Sequence, residues 1–144
     1  MAITIERAGP GDLEAVLALL RRARLPEGGL RDHVATLLVA RASGPVVGSA
    51  ALELYGRAAL LRSVAVETTA QGQGLGRRLA EAAVTLARES GVERLFLLTE
   101  TAAPFFARLG YSPVERSAVP ADLLASPEFA SLCPASAQAM VRDL

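Results

Sequence analysis

The residues that commonly build metal sites and covalent crosslinks are scarce in this chain. Its 144 residues include one cysteine, one histidine and no tryptophan. A lone cysteine cannot form a disulfide within the chain, and a zinc site of the usual kind would lack ligands. We therefore predict a free thiol and no metal.

Long apolar runs and an excess of one charge are absent as well. No run reaches the roughly 18 apolar residues that a membrane helix needs. The first residues alternate apolar and polar types around a glutamate, unlike a signal peptide. The 15 basic residues balance the 15 acidic ones, so no overall field would attract nucleic acid or an anionic membrane. These absences predict a cytoplasmic protein that binds neither nucleic acid nor a membrane.

The chain does have a large apolar fraction, 51% of its residues, which is enough for the core of one domain spanning residues 1–144. Alternation predicts a strand over residues 2–7, and the helix that follows has Asp12 in position to cap it. Apolar runs at residues 36–42, 46–55 and 59–66 are separated by short turns rich in glycine and proline. This pattern predicts three antiparallel strands in series.

The second half of the chain alternates helices and strands. A helix follows the glycine-rich segment, and residues 94–100 form a continuous apolar run that is typical of a buried strand. A short helix closed by Gly110 and a short edge strand come next. The order predicts an α/β fold with a mixed sheet, antiparallel at first and then joined by a strand–helix–strand crossover with parallel central strands. We expect the tail, residues 117–144, to form short helical pieces and turns packed on this body.

The segment "AQGQGLGRR", residues 70–78, has three glycines followed by two arginines at the start of a helix. A P-loop is excluded because no Gly-Lys-Ser/Thr follows. A dinucleotide-binding turn is disfavoured because its glycine register does not fit, although Glu100 ends the next strand. Two interpretations remain. The segment is either a pyrophosphate loop at a helix N-terminus, where an anion would also suit both arginines, or a plain glycine-rich turn.

The same segment resembles a known family signature. Residues 71–76, "QGQGLG", are similar to the Q/R-x-x-G-x-G/A signature of the GNAT acyltransferases. The strand ending "SVAV" before it and "FFARLGY" after it also match, so the resemblance covers about residues 3–115. Three further stretches, "LELYGRAALLRSVAV", "LLTETAAPFFARLGY" and "SPEFASLCPASAQAM", are similar to the arsenic-resistance branch of this family.

This resemblance implies a GNAT fold with acetyl-CoA as co-substrate in a V-shaped gap between the fourth and fifth strands. The pantetheine arm would pair with the backbone of Val64, Ala65 and Val66. The pyrophosphate would sit on the amides of the signature and the first helical turn, which are those of Gln71, Gly72, Gln73, Gly74, Leu75, Gly76 and Arg77. Phe106 would face the cofactor at the position where many members have a tyrosine acid, so it has no proton to give.

Two carboxylates are candidates for the general base. Glu53 lies in the third strand and shares its face with Ser49, Ala51 and Tyr55 by alternation. Glu100 ends the fifth strand, near the predicted opening of the gap. For each, the alternative is a solvated or ion-paired carboxylate on a strand.

The acceptor side has four candidate residues. Arg62 lies in an apolar strand, where a charge is costly unless paired. It either forms an ion pair with Glu53 or binds a substrate carboxylate. Ser63, Tyr55 and His33 are further candidates for substrate binding. Tyr111 and Cys133 are predicted to be core residues.

We therefore predict an N-acetyltransferase that acts on a small amino-acid-like amine. The resemblance implies a role in arsenic resistance, and a homodimer is possible in this family. The alternatives are a glutamate-type amino-acid N-acetyltransferase and a non-catalytic sensor that binds acyl-CoA.

Overall fold

A seven-stranded mixed sheet runs through the computed structural model, which describes residues 2–144 except for the side chain of Leu132. Its strands are β1 (Ile3–Arg7), β2 (Leu37–Ala42), β3 (Val46–Tyr55), β4 (Ala58–Val66), β5 (Arg94–Thr99), β6 (Ser112–Pro113) and β7 (Gln138–Asp143). They lie in the order β1-β2-β3-β4-β5-β7-β6. The mixed α/β architecture predicted from the sequence is confirmed.

Four α-helices connect the strands: α1 (Leu13–Ala23), α2 (Leu75–Glu89), α3 (Ala103–Arg108) and α4 (Ala121–Leu124). Short 3₁₀ segments occupy Leu30–Thr36, Thr68–Ala70 and Arg116–Ala118, and a π-helical turn spans Glu128–Leu132. No helix within residues 2–144 combines the length and apolar character that a membrane span requires.

Strand directions follow from the connections. Tight turns make β2, β3 and β4 antiparallel neighbours. The long crossover through α2 brings β5 alongside β4 in the parallel direction. This crossover is the reason that two parallel strands lie at the centre of an otherwise antiparallel sheet.

The two faces of the sheet are covered by different parts of the chain. The largest core cluster lies under α2 and α3, where Leu75, Leu79 and Phe106 pack on the sheet. The opposite face is covered by α1, which lies mainly over β3 and β4, and by the C-terminal segment over β4 and β5. Val119, Leu123 and Phe129 of that segment are buried against Leu60 and Phe96.

The end of the tail differs from its prediction. We expected only short helical pieces and turns after residue 117, but Gln138–Asp143 forms β7, which is inserted between β5 and β6. The run contains two charged residues and a glutamine, so its alternation is weak. Its conformation is set by pairing with all of β5, a long-range contact that local pattern does not reveal.

The predicted N-cap position of Asp12 is confirmed, but its side chain does not cap α1, because it makes no capping hydrogen bond to the helix. Its carboxylate instead accepts a hydrogen bond from the Gly9 N–H at 2.6 Å and pairs with Arg41 of β2. These two hydrogen bonds, with Arg41 the stronger influence, lower the pKa of Asp12.

Candidate active site

A groove opens where β4 and β5 separate. Their ladder is confined to three pairs, the last of which joins Leu60 to Phe96. Beyond it the strands diverge, and residues 61–66 and 97–102 line opposite walls of a cavity of about 540 Å³. Residues from α3, from the loop after α1 and from the C-terminal segment complete the walls. This is the gap between the fourth and fifth strands that the family resemblance implied.

A β-bulge in β4 shapes the groove. Ser49 faces Ala65 and Ala51 faces Arg62, so two residues of β4 lie opposite the single residue between them on β3. Ser63 has a φ of 60°, a left-handed value that is uncommon outside glycine. The Ser49 hydroxyl donates to the Ser63 carbonyl oxygen at 2.7 Å and supports this backbone. Such strained bulges are frequent at functional sites.

The bulge also changes which side chains face each side of the sheet. Before it, Leu61 packs under α2 while Leu60 faces the opposite side. After it, Val64 and Val66 pack on the α2 side. Strict alternation along β4 would have put Val64 on the other face, so the bulge turns this segment of β4 toward the glycine-rich loop.

The glycine-rich loop presents bare backbone to solvent. Gly72 and Gly74 have φ values of 84° and 75°, and a Cβ added at either would meet nothing within 4 Å. Their conformation therefore requires glycine, and the space outside them is open. Gly74 is the N-cap of α2 and no side chain caps that helix, so the first N–H groups of α2 are left without partners.

Other residues of the signature have packing roles. The Leu75 side chain is buried in the main core. A Cβ at Gly76 would lie 3.5 Å from the Phe105 ring, so this glycine allows α2 and α3 to approach closely. The Gln71 side chain donates to the Val66 carbonyl oxygen at 3.1 Å and ties the loop to the end of β4. Gln73 is exposed.

The two arginines that follow the glycines have different environments. Arg77 is exposed and its side chain makes no hydrogen bond within the described residues. Arg78 donates to the Ile3 carbonyl oxygen at 3.2 Å and is directed toward β1. Arg77 is therefore the cation that remains available beside the loop.

The aromatic wall of the groove comes from Phe106. Its ring is 7% exposed and packs edge-on against Phe105 and Tyr111 at centroid distances of 5.0 and 5.6 Å. Tyr111 is buried in the core, as predicted, and its hydroxyl has no hydrogen-bond partner within residues 2–144. Burial raises the pKa of Tyr111 well above its usual value, which makes it a poor proton donor.

Arg62 is the centre of a buried ionic network on the opposite wall. Its Nη1 lies 2.8 Å from Glu53 Oε2, and both side chains are fully buried. Its Nε lies 3.6 Å from Glu128 Oε1 of the C-terminal segment. Of the two interpretations of Arg62 open from sequence, the ion pair with Glu53 is the one present in this structure.

Two of the predicted site residues, Tyr55 and His33, converge on the Glu53 side chain rather than on the groove. The Tyr55 hydroxyl donates to Glu53 Oε1 at 2.5 Å, and His33 Nε2 lies 3.5 Å from the same oxygen. Burial, followed by the hydrogen bond to Glu53, raises the pKa of Tyr55. Neither Tyr55 nor His33, nor Glu53 itself, is among the residues that line the groove.

Glu100 and Ser63 do line the groove. Glu100 is exposed at the end of β5. The Ser63 hydroxyl accepts a hydrogen bond from Arg62 Nε at 3.1 Å. Of the two carboxylates that the sequence offered as candidate bases, Glu100 lines the groove, whereas Glu53 lies behind it and is paired with Arg62.

Sequence analysis missed two charged residues that line the groove, Glu128 and Arg24. Glu128 is 4% exposed, and burial raises its pKa to about 7 even though Arg62 acts in the opposite direction. Arg24 is exposed and ends α1 in a left-handed conformation, with a φ of 57°. A charged residue within the apolar run "SPEFASL" was the available signal for Glu128.

Neither a nucleophilic cysteine nor a metal centre is found in the described part of the chain. Cys133 lines the groove, but burial raises the pKa of its thiol to about 11, so the thiol stays protonated. No group of three histidine, cysteine, aspartate or glutamate residues within residues 2–144 is arranged to hold a metal ion.

The sequence matches a known family model and several curated proteins. The model of the acetyltransferase (GNAT) domain matches residues 33–113, more than half of the chain. An uncharacterized N-acetyltransferase of Chlorobaculum tepidum is 36% identical over 90 residues, which cover 62% of this chain and 57% of that protein. An amino-acid acetyltransferase of Neisseria meningitidis is 29% identical over 129 residues, covering 82% of this chain and 29% of that protein.

A solved structure has the same fold. N-acetylglutamate synthase from Neisseria gonorrhoeae, complexed with coenzyme A and L-arginine, superposes with a TM-score of 0.83 at 25% identity, covering 99% of this chain and 33% of that one. The chain thus spans little more than half of one curated relative and about a third of the other two proteins.

Proposed function

Because the chain belongs to the GNAT family of acetyltransferases, we propose that it transfers an acetyl group from acetyl-CoA to the amino group of a small amino acid. The observation that carries this proposal is the groove between β4 and β5, with the uncapped N-terminus of α2 at one side of it. A groove in this position has room for an extended thioester arm and ends beside an anion-binding helix terminus.

The donor side would hold acetyl-CoA mainly through backbone groups. The backbone of Val64, Ala65 and Val66 lines the groove where β5 no longer pairs with β4. The loop and first helical turn, residues 71–77, would bind the pyrophosphate through N–H groups, with Arg77 as a nearby cation. Gln71 lines the groove and would fix the loop relative to β4.

The acceptor must lose a proton before it can attack. An amino acid is an ammonium ion near neutral pH, and only the neutral amine has a lone pair for the thioester carbonyl carbon. The departing CoA thiolate then takes a proton from the attacking nitrogen or from water, since Phe106 has none to give. The sequence candidates for the base, Glu53 and Glu100, stay proposals, and only Glu100 has access to the groove.

An α-amino acid fits the charges on the acceptor side. Arg24 lines the groove, is exposed, and makes no ion pair or side-chain hydrogen bond within the described residues, so its guanidinium can bind a carboxylate. Amino-acid acetyltransferases and an N-acetylglutamate synthase are among the similar proteins. These similarities favour glutamate as the first acceptor to test.

The tail motif supports a second acceptor within the same chemical class. "SPEFASLCPASAQAM" resembles the arsenic-resistance branch, and part of this segment, Glu128, Cys133 and Ala137, lines the groove. The corresponding acceptor is an organoarsenical amino acid or a phosphinothricin-like analogue. The homodimer and the cytoplasmic location stay predictions.

An acceptor screen tests the proposal. The protein is incubated with acetyl-CoA and single L-amino acids, with L-glutamate and phosphinothricin among them, and thiol release is followed. We expect at least one α-amino acid to stimulate release severalfold over the rate with water alone. Tight acetyl-CoA binding with no amine-stimulated release would favour the non-catalytic sensor instead.

A further inference from the structure

The C-terminal segment contributes a buried carboxylate to the groove. Glu128 begins the π-helical turn Glu128–Leu132, an uncommon element that is often found at functional sites. The residue is 4% exposed and still lines the groove. Its one charged contact within residues 2–144 is Arg62 Nε at 3.6 Å, longer than a hydrogen bond, and no side-chain donor satisfies its oxygens there.

Arg62 does not fully satisfy this carboxylate, because four of its five N–H donors are directed to other groups. Nη1 donates to the Gly28 carbonyl oxygen and to Glu53, both at 2.8 Å. Nη2 donates to the Pro26 carbonyl oxygen at 3.2 Å, and Nε donates to the Ser63 hydroxyl at 3.1 Å. The guanidinium is held in place by β3, β4 and the loop after α1, and Glu128 is left with the weakest contact.

The charges of the network do not balance. One buried guanidinium faces two buried carboxylates, Glu53 and Glu128, and the other basic group at the network is the His33 imidazole, 3.5 Å from Glu53 Oε1. An excess buried negative charge is costly and is relieved by a proton or by a nearby cation. Glu53 is enclosed, whereas Glu128 lines the groove. The compensating proton or cation must therefore be located at Glu128. The ammonium group of an acceptor in the groove is a cation of the required kind.

We propose that Glu128 is the general base of the acetyl transfer and that Arg62 is its positioning residue. This proposal rests on the function proposed above. Glu128 accepts one proton from the acceptor ammonium, and the neutral amine forms a bond to the thioester carbonyl carbon. The C–S bond breaks, a second nitrogen proton passes to the CoA thiolate, directly or through water, and the proton on Glu128 leaves to solvent.

The surroundings of Glu128 suit a base that works near neutral pH. Its pKa of about 7 reflects burial first, then the opposing influence of Arg62 and the smaller repulsion by Glu53. A base is most effective when its pKa lies near the operating pH. The other charged or titratable groups nearby are Cys133 on the same segment and, farther out, Glu100 on β5 and Arg116 over the Phe129 ring.

The test compares two isosteric variants with the wild type. Glu128→Gln keeps the size of the side chain and removes its ability to take a proton. With L-glutamate, or the screened amino acid that is acetylated fastest, we expect kcat at pH 7 to fall by about 10²- to 10⁴-fold. The Kd of acetyl-CoA should change less than about threefold, because the donor side is separate. Asp122→Asn, an exposed acid on α4 of the same segment, should leave kcat unchanged.

The pH profile separates a base from a merely structural residue. Wild-type kcat/KM should rise through about pH 7 as Glu128 loses its proton. Glu128→Gln should not show this rise of kcat/KM, which is the acidic limb of the pH profile. Its rate should approach that of the wild type at high pH, where the acceptor amine is already neutral. Glu128→Asp, which keeps a carboxylate, should retain the limb at reduced kcat, and it decides the question should the Gln variant fail to fold.

The outcomes distinguish the two proposals. A wild-type enzyme that acetylates amino acids, together with a Glu128→Gln variant of equal kcat, would overturn the role of Glu128 and leave the function intact. Loss of the acidic limb in Glu100→Gln, with the limb kept in Glu128→Gln, would assign the base to Glu100. A folded wild-type protein that transfers no acetyl group to any amine would contradict both proposals.

Discussion

The two sides of the groove are built in different ways. The donor side is made of backbone groups from one contiguous stretch, residues 64–77, whose glycines are mostly exposed and whose one ion pair within the described residues joins Glu67 to Arg22. The acceptor side is made of side chains from distant parts of the chain: the loop after α1, β3, β4 and the C-terminal segment. The charges of its ionic network, on Arg62, Glu53 and Glu128, are buried.

This difference reflects two requirements: acetyl-CoA has to be bound, whereas the acceptor also has to be distinguished from other small molecules. The pyrophosphate and pantetheine of acetyl-CoA are the same for every member of a family, so bare backbone in a fixed conformation is sufficient to hold them. An acceptor is recognised by its charge and shape, which need side chains from several elements. A substitution on the donor side should therefore change ligand affinity with little effect on folding, whereas a substitution in the network should change stability as well as catalysis.

Replacing Arg62 should have the largest effect on stability. Arg62→Ala leaves Glu53 and Glu128 buried without their shared cation, which costs about 3–5 kcal/mol when one partner of a buried pair is removed. Urea denaturation measures the change. Arg78→Ala is the matched control on the donor side, since Arg78 is exposed and donates one hydrogen bond to Ile3, and should cost less than about 1 kcal/mol. Equal losses for the two variants would mean that the network does not stabilise the fold.

The pH dependence of stability should isolate the contribution of Glu128. Its folded pKa of about 7 lies above the ordinary value of 4.5, so the folded state keeps a proton that the unfolded state loses. Wild-type stability should therefore decline as pH rises from about 5 to 8, by roughly 2–4 kcal/mol from this group.

Glu128→Gln removes that part of the decline. The difference in unfolding free energy, variant minus wild type, should become more positive between pH 5 and pH 8. A difference that is independent of pH over this interval would show that Glu128 ionises in the folded protein as it does in the unfolded chain.

A valine at Gly74 should weaken acetyl-CoA binding both through its bulk and through the strain of a branched residue at a φ of 75°. Gly74→Val places a branched side chain in the open space outside the loop, and we expect the Kd of acetyl-CoA to rise at least about 100-fold, close to 2.7 kcal/mol. Gly91→Val is the matched control. Gly91 also has a positive φ, 81°, and open space around its Cβ position, but it follows the far end of α2. Calorimetric titration of both folded variants should show weakened binding for Gly74→Val only.

The difference between the donor side and the acceptor side also explains which features of the molecule could be predicted from the sequence. The strands β2–β4 follow local alternation and turn residues, and the signature at residues 71–76 is contiguous, so the fold and the gap between β4 and β5 were predictable. The bulge at Ser63 was not, because a serine carries no preference for a left-handed φ and takes it here with support from Ser49.

The acceptor side was only partly predictable, because it is formed by long-range contacts that the local sequence pattern does not encode. Arg62 and Glu53 are diagonal neighbours on adjacent strands, and the possibility of a pair was visible from their spacing. Glu128 reaches the same guanidinium from the C-terminal segment, whose course is set by the packing of Phe129 and by the insertion of β7. Because that course was mispredicted, Glu128 could not be placed at the groove.

The central claim is that this groove brings acetyl-CoA together with an amino acid. It is tested most directly by incubating the wild-type protein at pH 8 with acetyl-CoA and each amino acid of the acceptor panel, L-glutamate and phosphinothricin included, and examining the acceptor by mass spectrometry. The account predicts an acceptor heavier by one acetyl group on its nitrogen, formed in proportion to the free CoA released. Release of CoA without an acetylated acceptor across the whole panel of amino acids would contradict it.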